Sequence, residues 1–139
     1  MKSHGPRVGA EAKHNEALQR RCARELQRLG VLSQGQATVV VACSGGPDSA
    51  ALLSLLAATA SGLKLIACYI DHGLRARAAI RRDVAAVRAQ ARRARAATIV
   101  RSVAGGFTHA GSREAQARSL RYAALLEVAR EHQAGFVLT

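Results

Sequence analysis

The sequence predicts an α/β fold in which a parallel sheet carries helices on both faces. Short apolar segments alternate strictly with longer alanine-rich or amphipathic segments. The apolar segments are continuous rather than alternating, as expected for strands that are buried on both faces. Half of the residues are apolar (49%) and only 3% are aromatic, so we expect small aliphatic side chains to build the core.

The predicted order is one helix followed by strands and helices in strict alternation, which is typical of parallel sheets with crossover helices. The predicted helices span residues 14–29, 48–59, 78–95 and 113–132, and the predicted strands span residues 39–42, 63–70, 97–103 and 135–139. Gly30 and Gly62 end the first two helices, and Ser112 can cap the last one. Residues 1–13 are polar and contain three turn-forming residues, which predicts a flexible tail before one domain over residues 14–139.

The chain is strongly basic. It has 21 Lys and Arg against 9 Asp and Glu, a net charge of +12. A high-GC genome that favours Arg and Ala codons would give this composition, and so would a nucleic-acid partner. The bias toward Arg and Ala is greatest in residues 75–95. This stretch is either an RNA-binding surface or a solvated helix face.

Cysteine usage and hydropathy predict a cytoplasmic protein. The 3 cysteines form no CxxC pair, and the chain has neither a run of 18 apolar residues nor the apolar core of a signal peptide. We therefore expect no membrane span and a reducing compartment.

A phosphate-binding loop is predicted directly after the first strand. This SGGPDS loop consists of Ser44, Gly45, Gly46, Pro47, Asp48 and Ser49. Two glycines allow the backbone to approach a ligand closely, and the amides of the following helix form an anion site. Asp48 would contact magnesium or fix the loop by a hydrogen bond. A plain strand-to-helix turn is the alternative, and neither a Walker A motif nor GxGxxG is present.

Three segments together resemble a known family. The SGGPDS loop is similar to the SGGxDS loop of N-type ATP pyrophosphatases, the PP-loop superfamily of adenine-nucleotide α-hydrolase-like fold. Residues 69–75, which read YIDHGLR, resemble the VDHGLR segment of tRNA(Ile)-lysidine synthases, and residues 114–122 resemble their EAxAR…RY helix. The resemblance implies an ATP-dependent ligase that adenylates the C2 oxygen of the wobble cytidine in isoleucine tRNA, with CAU anticodon. Lysine then displaces AMP and forms lysidine.

The resemblance also implies ATP as substrate, Mg²⁺ as cofactor, and roles for single residues. The SGGPDS loop would hold the β- and γ-phosphates. The implied catalytic residues are Asp48, Asp71 and Arg118: Asp71 would bind the lysine ammonium or magnesium, and Arg118 the α-phosphate or the base. Further substrate-binding candidates are His72, Arg75 and Arg121. Capping or packing is the alternative for His72, and a solvated helix surface is the alternative for both helical arginines.

The chain departs from the family pattern in two places. Residues 76–82 contain no acid, although the family is usually acidic there, and the sequence ends where a histidine and paired aspartates would begin. We therefore expect an incomplete catalytic domain with little stability or ligase activity of its own. The alternatives are a non-catalytic nucleotide- or RNA-binding module and another PP-loop enzyme, such as a tRNA thiolase or an amidotransferase-type synthetase. tRNA and L-lysine are the implied partners, and a homodimer is left open.

Overall fold

The computed structural model describes residues 7–139, which form helices packed on a four-stranded parallel sheet. The helices are α1 (Arg7–Arg28), α2 (Pro47–Thr59), α3 (Arg77–Arg93) and α4 (Arg113–Glu131), with a short 3-10 helix at Val31–Gln34. The strands are β1 (Thr38–Ala42), β2 (Lys64–Asp71), β3 (Ala97–Ser102) and β4 (Phe136–Leu138). The predicted fold class is confirmed.

The strand order β3-β2-β1-β4 creates a switch point beside β1. The chain moves outward from β1 to β2 and β3, and then returns to place β4 on the other side of β1. Val41 is paired with Leu138 of β4, and Ala42 with Cys68 of β2. The carboxyl ends of these three strands therefore lie side by side, at the position where open α/β sheets bind ligands.

The sheet separates two apolar layers. On one face, Val39, Val41 and Leu65 pack with buried residues of α2 and α3 and with Leu26 of α1. On the other face, Val40 and Ile66 pack with buried residues of α4 alone. Because successive strand residues point to opposite faces, one apolar run serves both layers. No helix within residues 7–139 is long and apolar enough to cross a membrane.

The predicted flexible tail is wrong for residues 7–13, which form the first two turns of α1. Residues 1–6 of that prediction lie outside the described region. Gly9 is one of the three turn-forming residues of this segment, but one glycine costs a helix only about 1 kcal/mol. The residues that follow it, from Ala10 to Lys13, are mostly good helix formers, so the helix continues through Gly9. The boundary of the domain at residue 14 remains a prediction.

Candidate functional site

The SGGPDS loop connects β1 to α2 at the carboxyl edge of the sheet. Gly45 has φ 86°, a backbone conformation that favours glycine. Gly46 is the N-cap of α2, and Pro47 occupies the first turn, where its fixed φ suits the helix and no amide is lost. The glycine and proline positions are therefore set by the turn that the chain makes here.

The two serine hydroxyls hold the loop together. The Ser44 amide donates to Ser49 Oγ at 3.2 Å, and the Gly46 amide donates to Ser44 Oγ at 3.2 Å. Ser49 Oγ in turn donates to the Gly46 carbonyl at 3.4 Å. The amides of Asp48 and Ser49 lie in the first turn of α2, where no carbonyl of the helix can accept from them. These amides, with the positive end of the helix dipole, are the donors available to an anion.

Helix α3 fixes the loop from the side. Gln90 Nε2 donates to the Gly45 carbonyl at 3.2 Å. A Cβ on Gly45 would lie 3.0 Å from the Asp83 carbonyl oxygen and 3.1 Å from its Cα, so the loop and α3 are in direct backbone contact. Gln90 is not among the predicted site residues, because only the packing of α3 on the sheet brings it to residue 45.

Two adjoining cavities open at this edge of the sheet. A cavity of about 190 Å³ lies at the ends of β1 and β2 and is lined by strand residues such as Cys68 and Ile70 together with polar and charged side chains. A second cavity of about 300 Å³ lies between the ends of β1 and β4 and is lined by Asp48, Ser49 and neighbouring residues. Arg121 lines both cavities. Arg121 could therefore contact a ligand that occupies both cavities.

Comparison with known protein families identifies this arrangement. Residues 14–139 match the family described as a PP-loop domain. The chain belongs to the PP-loop family. The resemblance that was inferred from the three sequence segments is confirmed, and residues of the SGGPDS loop line both cavities.

Curated relatives narrow the comparison within the PP-loop family. The chain is 44% identical over 102 residues to a tRNA(Ile)-lysidine synthase of Thermobifida fusca, covering 72% of this chain and 31% of the relative. It is 40% identical over 102 residues to the synthase of Streptomyces coelicolor, covering 72% of this chain and 28% of the relative. It is 42% identical over 118 residues to the synthase of Ralstonia nicotianae, covering 78% of this chain and 24% of the relative. The chain therefore spans between 24% and 31% of the length of these relatives.

Solved structures share the PP-loop fold at low sequence identity. A U34-tRNA thiolase, NcsA from Methanococcus maripaludis, superposes with a TM-score of 0.68 at 16% identity, covering 88% of this chain and 45% of the thiolase. An NMN synthetase from Francisella tularensis gives a TM-score of 0.63 at 16% identity, covering 88% and 52%. Such identities support the fold and carry no argument about substrate.

Two predicted catalytic residues lie apart from the cavities. Asp71 Oδ1 accepts a hydrogen bond from the Gly73 amide at 2.8 Å, so its carboxylate closes the turn after β2. The guanidinium of Arg118 lies 5.3 Å from the ring centroid of Tyr122, a cation–π contact on the surface of α4. Neither residue lines either cavity. The side chain that faces both cavities from α4 is Arg121, which the sequence analysis placed among the substrate-binding candidates.

His72 and Arg75 both line the smaller cavity. His72 Nδ1 is buried and has no hydrogen-bond partner within residues 7–139, and its ring centroid lies 6.5 Å from that of Phe107. Arg75 forms an ion pair with Asp83, which also accepts a hydrogen bond from Tyr69 Oη at 3.2 Å. Burial, followed by the neighbouring Asp83 charge, raises the pKa of Tyr69 above its usual 10.0, so the phenol remains a donor at neutral pH.

The cysteines contribute apolar lining to the site. Burial raises the pKa of Cys43 and of Cys68 from 9.0 to about 11, so both thiols stay protonated at neutral pH and are poor nucleophiles. Cys43 packs in the α2 and α3 layer and Cys68 in the α4 layer. No group of three metal-binding side chains occurs in the part of the chain that the structure describes.

Proposed function

We propose that this chain is the ATP-binding part of a tRNA-modifying ligase that forms lysidine. ATP would adenylate the C2 oxygen of the wobble cytidine in isoleucine tRNA and release pyrophosphate. The ε-amine of lysine would then attack C2 and displace AMP. The curated relatives named tRNA(Ile)-lysidine synthase support this substrate. The observation that carries the proposal is the SGGPDS loop at the switch point, where the free amides of the first turn of α2 lie beside a cavity that Arg121 also lines.

The two cavities suggest how ATP would lie. The smaller cavity combines apolar residues at the ends of β1 and β2 with polar side chains such as His72, which suits a flat base that also forms hydrogen bonds. The larger cavity lies against the first turn of α2, whose unpaired amides suit the β- and γ-phosphates. Arg121 lies at both, and would therefore approach the α-phosphate. Donors fixed in this way stabilise the charge that develops on departing pyrophosphate.

Asp48 is the residue that would hold Mg²⁺. Its carboxylate is exposed in the first turn of α2, lines the larger cavity, and has no ion pair within residues 7–139. Magnesium is commonly bound by one or two carboxylates together with substrate phosphates, so one aspartate beside a phosphate site fits that chemistry. When bound, the ion would neutralise charge on the phosphate oxygens.

The remaining predicted residues would act on the acceptor side of the reaction. His72 has a buried nitrogen without a partner at the smaller cavity, so it could receive a hydrogen bond from a ligand there. Asp71 would shape the turn that carries His72, and its second carboxylate oxygen would remain free for the lysine ammonium. Arg118 would bind the tRNA or the base from the surface of α4.

A tRNA thiolase activity, which is another chemistry of PP-loop enzymes, is less well supported. The thiolase that shares the fold carries a [4Fe-4S] cluster. Here Cys43 and Cys68 lie in opposite layers, and Cys22 is on α1, which gives no set of cysteines to hold one. A nucleotide-binding module without catalysis is the second candidate, since the predicted catalytic residues Asp71 and Arg118 line neither cavity.

ATP–pyrophosphate exchange separates these functions. The purified chain is incubated with labelled pyrophosphate, ATP, magnesium and an isoleucine tRNA transcript, with and without lysine. We expect a low level of tRNA-dependent label in ATP, which the double variant Ser44→Ala, Asp48→Ala abolishes. Ser61→Ala, an exposed serine away from the loop, is the matched control and should exchange normally. ATP binding without any exchange would identify a nucleotide-binding module instead.

A further inference from the structure

Helix α3 carries a row of arginines along one side. Arg77, Arg81, Arg88 and Arg92 are all exposed. At 100° per residue they fall within about 60° of arc, and a rise of 1.5 Å per residue spreads them over about 22 Å. We call these four residues the α3 arginine stripe. Because α3 follows β2, the stripe begins at the same edge of the sheet as the nucleotide cavities, beside Arg75 of the smaller cavity.

The charges of the stripe are not neutralised. Within residues 7–139, ion pairs to acidic side chains are formed by Arg20, Arg28, Arg75 and Arg101, and none of these belongs to the stripe. The one acid of α3 is Asp83, which faces the cavity and is engaged by Tyr69 and Arg75. The surface of α3 is therefore a region of uncompensated positive charge.

The arrangement is unfavourable for the helix itself. Arg77–Arg81 and Arg88–Arg92 are like-charge pairs at spacing i, i+4, which destabilise a helix. Arg77 is the first residue of α3 and the first turn has no acid, so a positive charge lies at the positive end of the helix dipole. A helix selected only for stability would carry acidic residues in this first turn.

Codon bias does not explain the stripe. Helices α1 and α4 come from the same arginine-rich sequence, yet each contains three glutamates among its basic residues. Helix α3 has six arginines and one aspartate, a net charge of +5. The net charge of α3 is thus higher than that of α1 (6 basic against 3 acidic residues, +3) or of α4 (4 against 3, +1), and α3 begins beside the nucleotide cavities.

We propose that the α3 arginine stripe binds the phosphate backbone of the substrate RNA while the reactive base enters the cavities beside the SGGPDS loop. The choice of RNA among polyanions rests on the proposed function. Arginine suits this role because its planar guanidinium can donate two hydrogen bonds to one phosphate. Backbone contacts of this kind fix the position of the nucleic acid and do not read its sequence.

The test compares two variants that lose the same charge. One replaces the four arginines of the stripe by glutamine. The matched control replaces Arg20, Arg21, Arg24 and Arg28 of α1, which are also exposed. The probe is an unmodified isoleucine tRNA transcript with CAU anticodon, and its dissociation constant is measured across a salt series. We expect the stripe variant to bind at least about tenfold more weakly and its salt slope to fall by about 3, whereas the α1 variant changes little.

Further measurements separate this proposal from loss of folding and from the proposed function. Replacing the same four residues by lysine retains the charge and should restore most of the affinity. ATP binding should be equal in all variants, and thermal unfolding should show that each is folded. Equal loss of tRNA binding in the stripe and α1 variants would overturn the proposal. Displacement of tRNA by duplex DNA at equal phosphate concentration would also overturn it, while leaving the ATP-dependent function standing.

Discussion

The inner face of α3 presents Asp83 and Gln90 to the SGGPDS loop and its cavity, whereas the outer face presents the α3 arginine stripe to solvent. Each inner residue has a defined partner: Gln90 donates to the Gly45 carbonyl, and the Asp83 carboxylate meets Tyr69 and Arg75. The outer arginines have no acidic partner within residues 7–139. The contacts of the inner residues therefore require a specific shape and hydrogen-bond direction, whereas the outer arginines offer positive charge alone.

The largest effect is expected where the loop and the inner face are in backbone contact. Alanine at Gly45 would place a Cβ 3.0 Å from the Asp83 carbonyl oxygen, at φ 86°. The left-handed backbone alone costs about 1–2 kcal/mol, and the contact forces the loop away from α3. We expect Gly45→Ala to weaken ATP binding about a hundredfold or more, measured by calorimetric titration.

Gly105 provides the matched control for this substitution. Its φ is 85°, yet nothing lies within 4 Å of a Cβ added there. Gly105→Ala therefore introduces the same backbone strain without the contact and away from both cavities. It should lower the melting temperature while ATP affinity stays unchanged. If the two variants lost ATP binding equally, the contact between the loop and α3 would not be what shapes the site.

The sequence predicted the elements of this fold well because they depend on local patterns. The four strands lie within one or two residues of their predicted bounds, and the SGGPDS loop lies where its glycines indicated. The contact between Gly45 and Gln90 joins residues 45 positions apart, and no local pattern encodes it. Arg118 and Arg121 similarly share one region of a helix, and only the packing of α4 decides which one faces the cavities.

A smaller effect is expected from the hydrogen bond that Gln90 makes. Methionine at this position keeps the length of the side chain but removes the donor to the Gly45 carbonyl. A neutral hydrogen bond contributes about 1 kcal/mol, so ATP affinity should fall about fivefold. Gln90 Oε1 is buried without a partner in the described residues. An unpaired buried oxygen lowers the stability of the folded state, and methionine removes this atom. The free energy of unfolding should therefore change little while ATP binding weakens.

Two further substitutions sharpen the test of Gln90. Gln90→Glu places carboxylate oxygens against the Gly45 carbonyl and should weaken ATP binding more than methionine does, because both atoms are then acceptors. Gln27→Met, at an exposed position of α1, should leave both quantities unchanged. Loss of stability and affinity in equal measure for Gln90→Met would indicate that the residue supports the fold generally and does not position the loop.

The smallest effect concerns Asp83 and Tyr69, and it can be followed by ultraviolet titration because the chain has 2 tyrosines and no tryptophan. In a Tyr122→Phe background, the tyrosinate signal reports Tyr69 alone. We expect Asp83→Asn to lower the Tyr69 pKa only part of the way to 10.0, since burial is the larger cause of its rise and the Asp83 charge the second. The stability linked to the neutral phenol is complete below pH 10 and is lost as pH rises through the raised pKa, so both proteins should lose stability in alkali, the variant at lower pH. An unchanged tyrosinate titration in Asp83→Asn would show that the aspartate does not interact with Tyr69, and the inner face of α3 would then contact the site through Gln90 and the backbone alone.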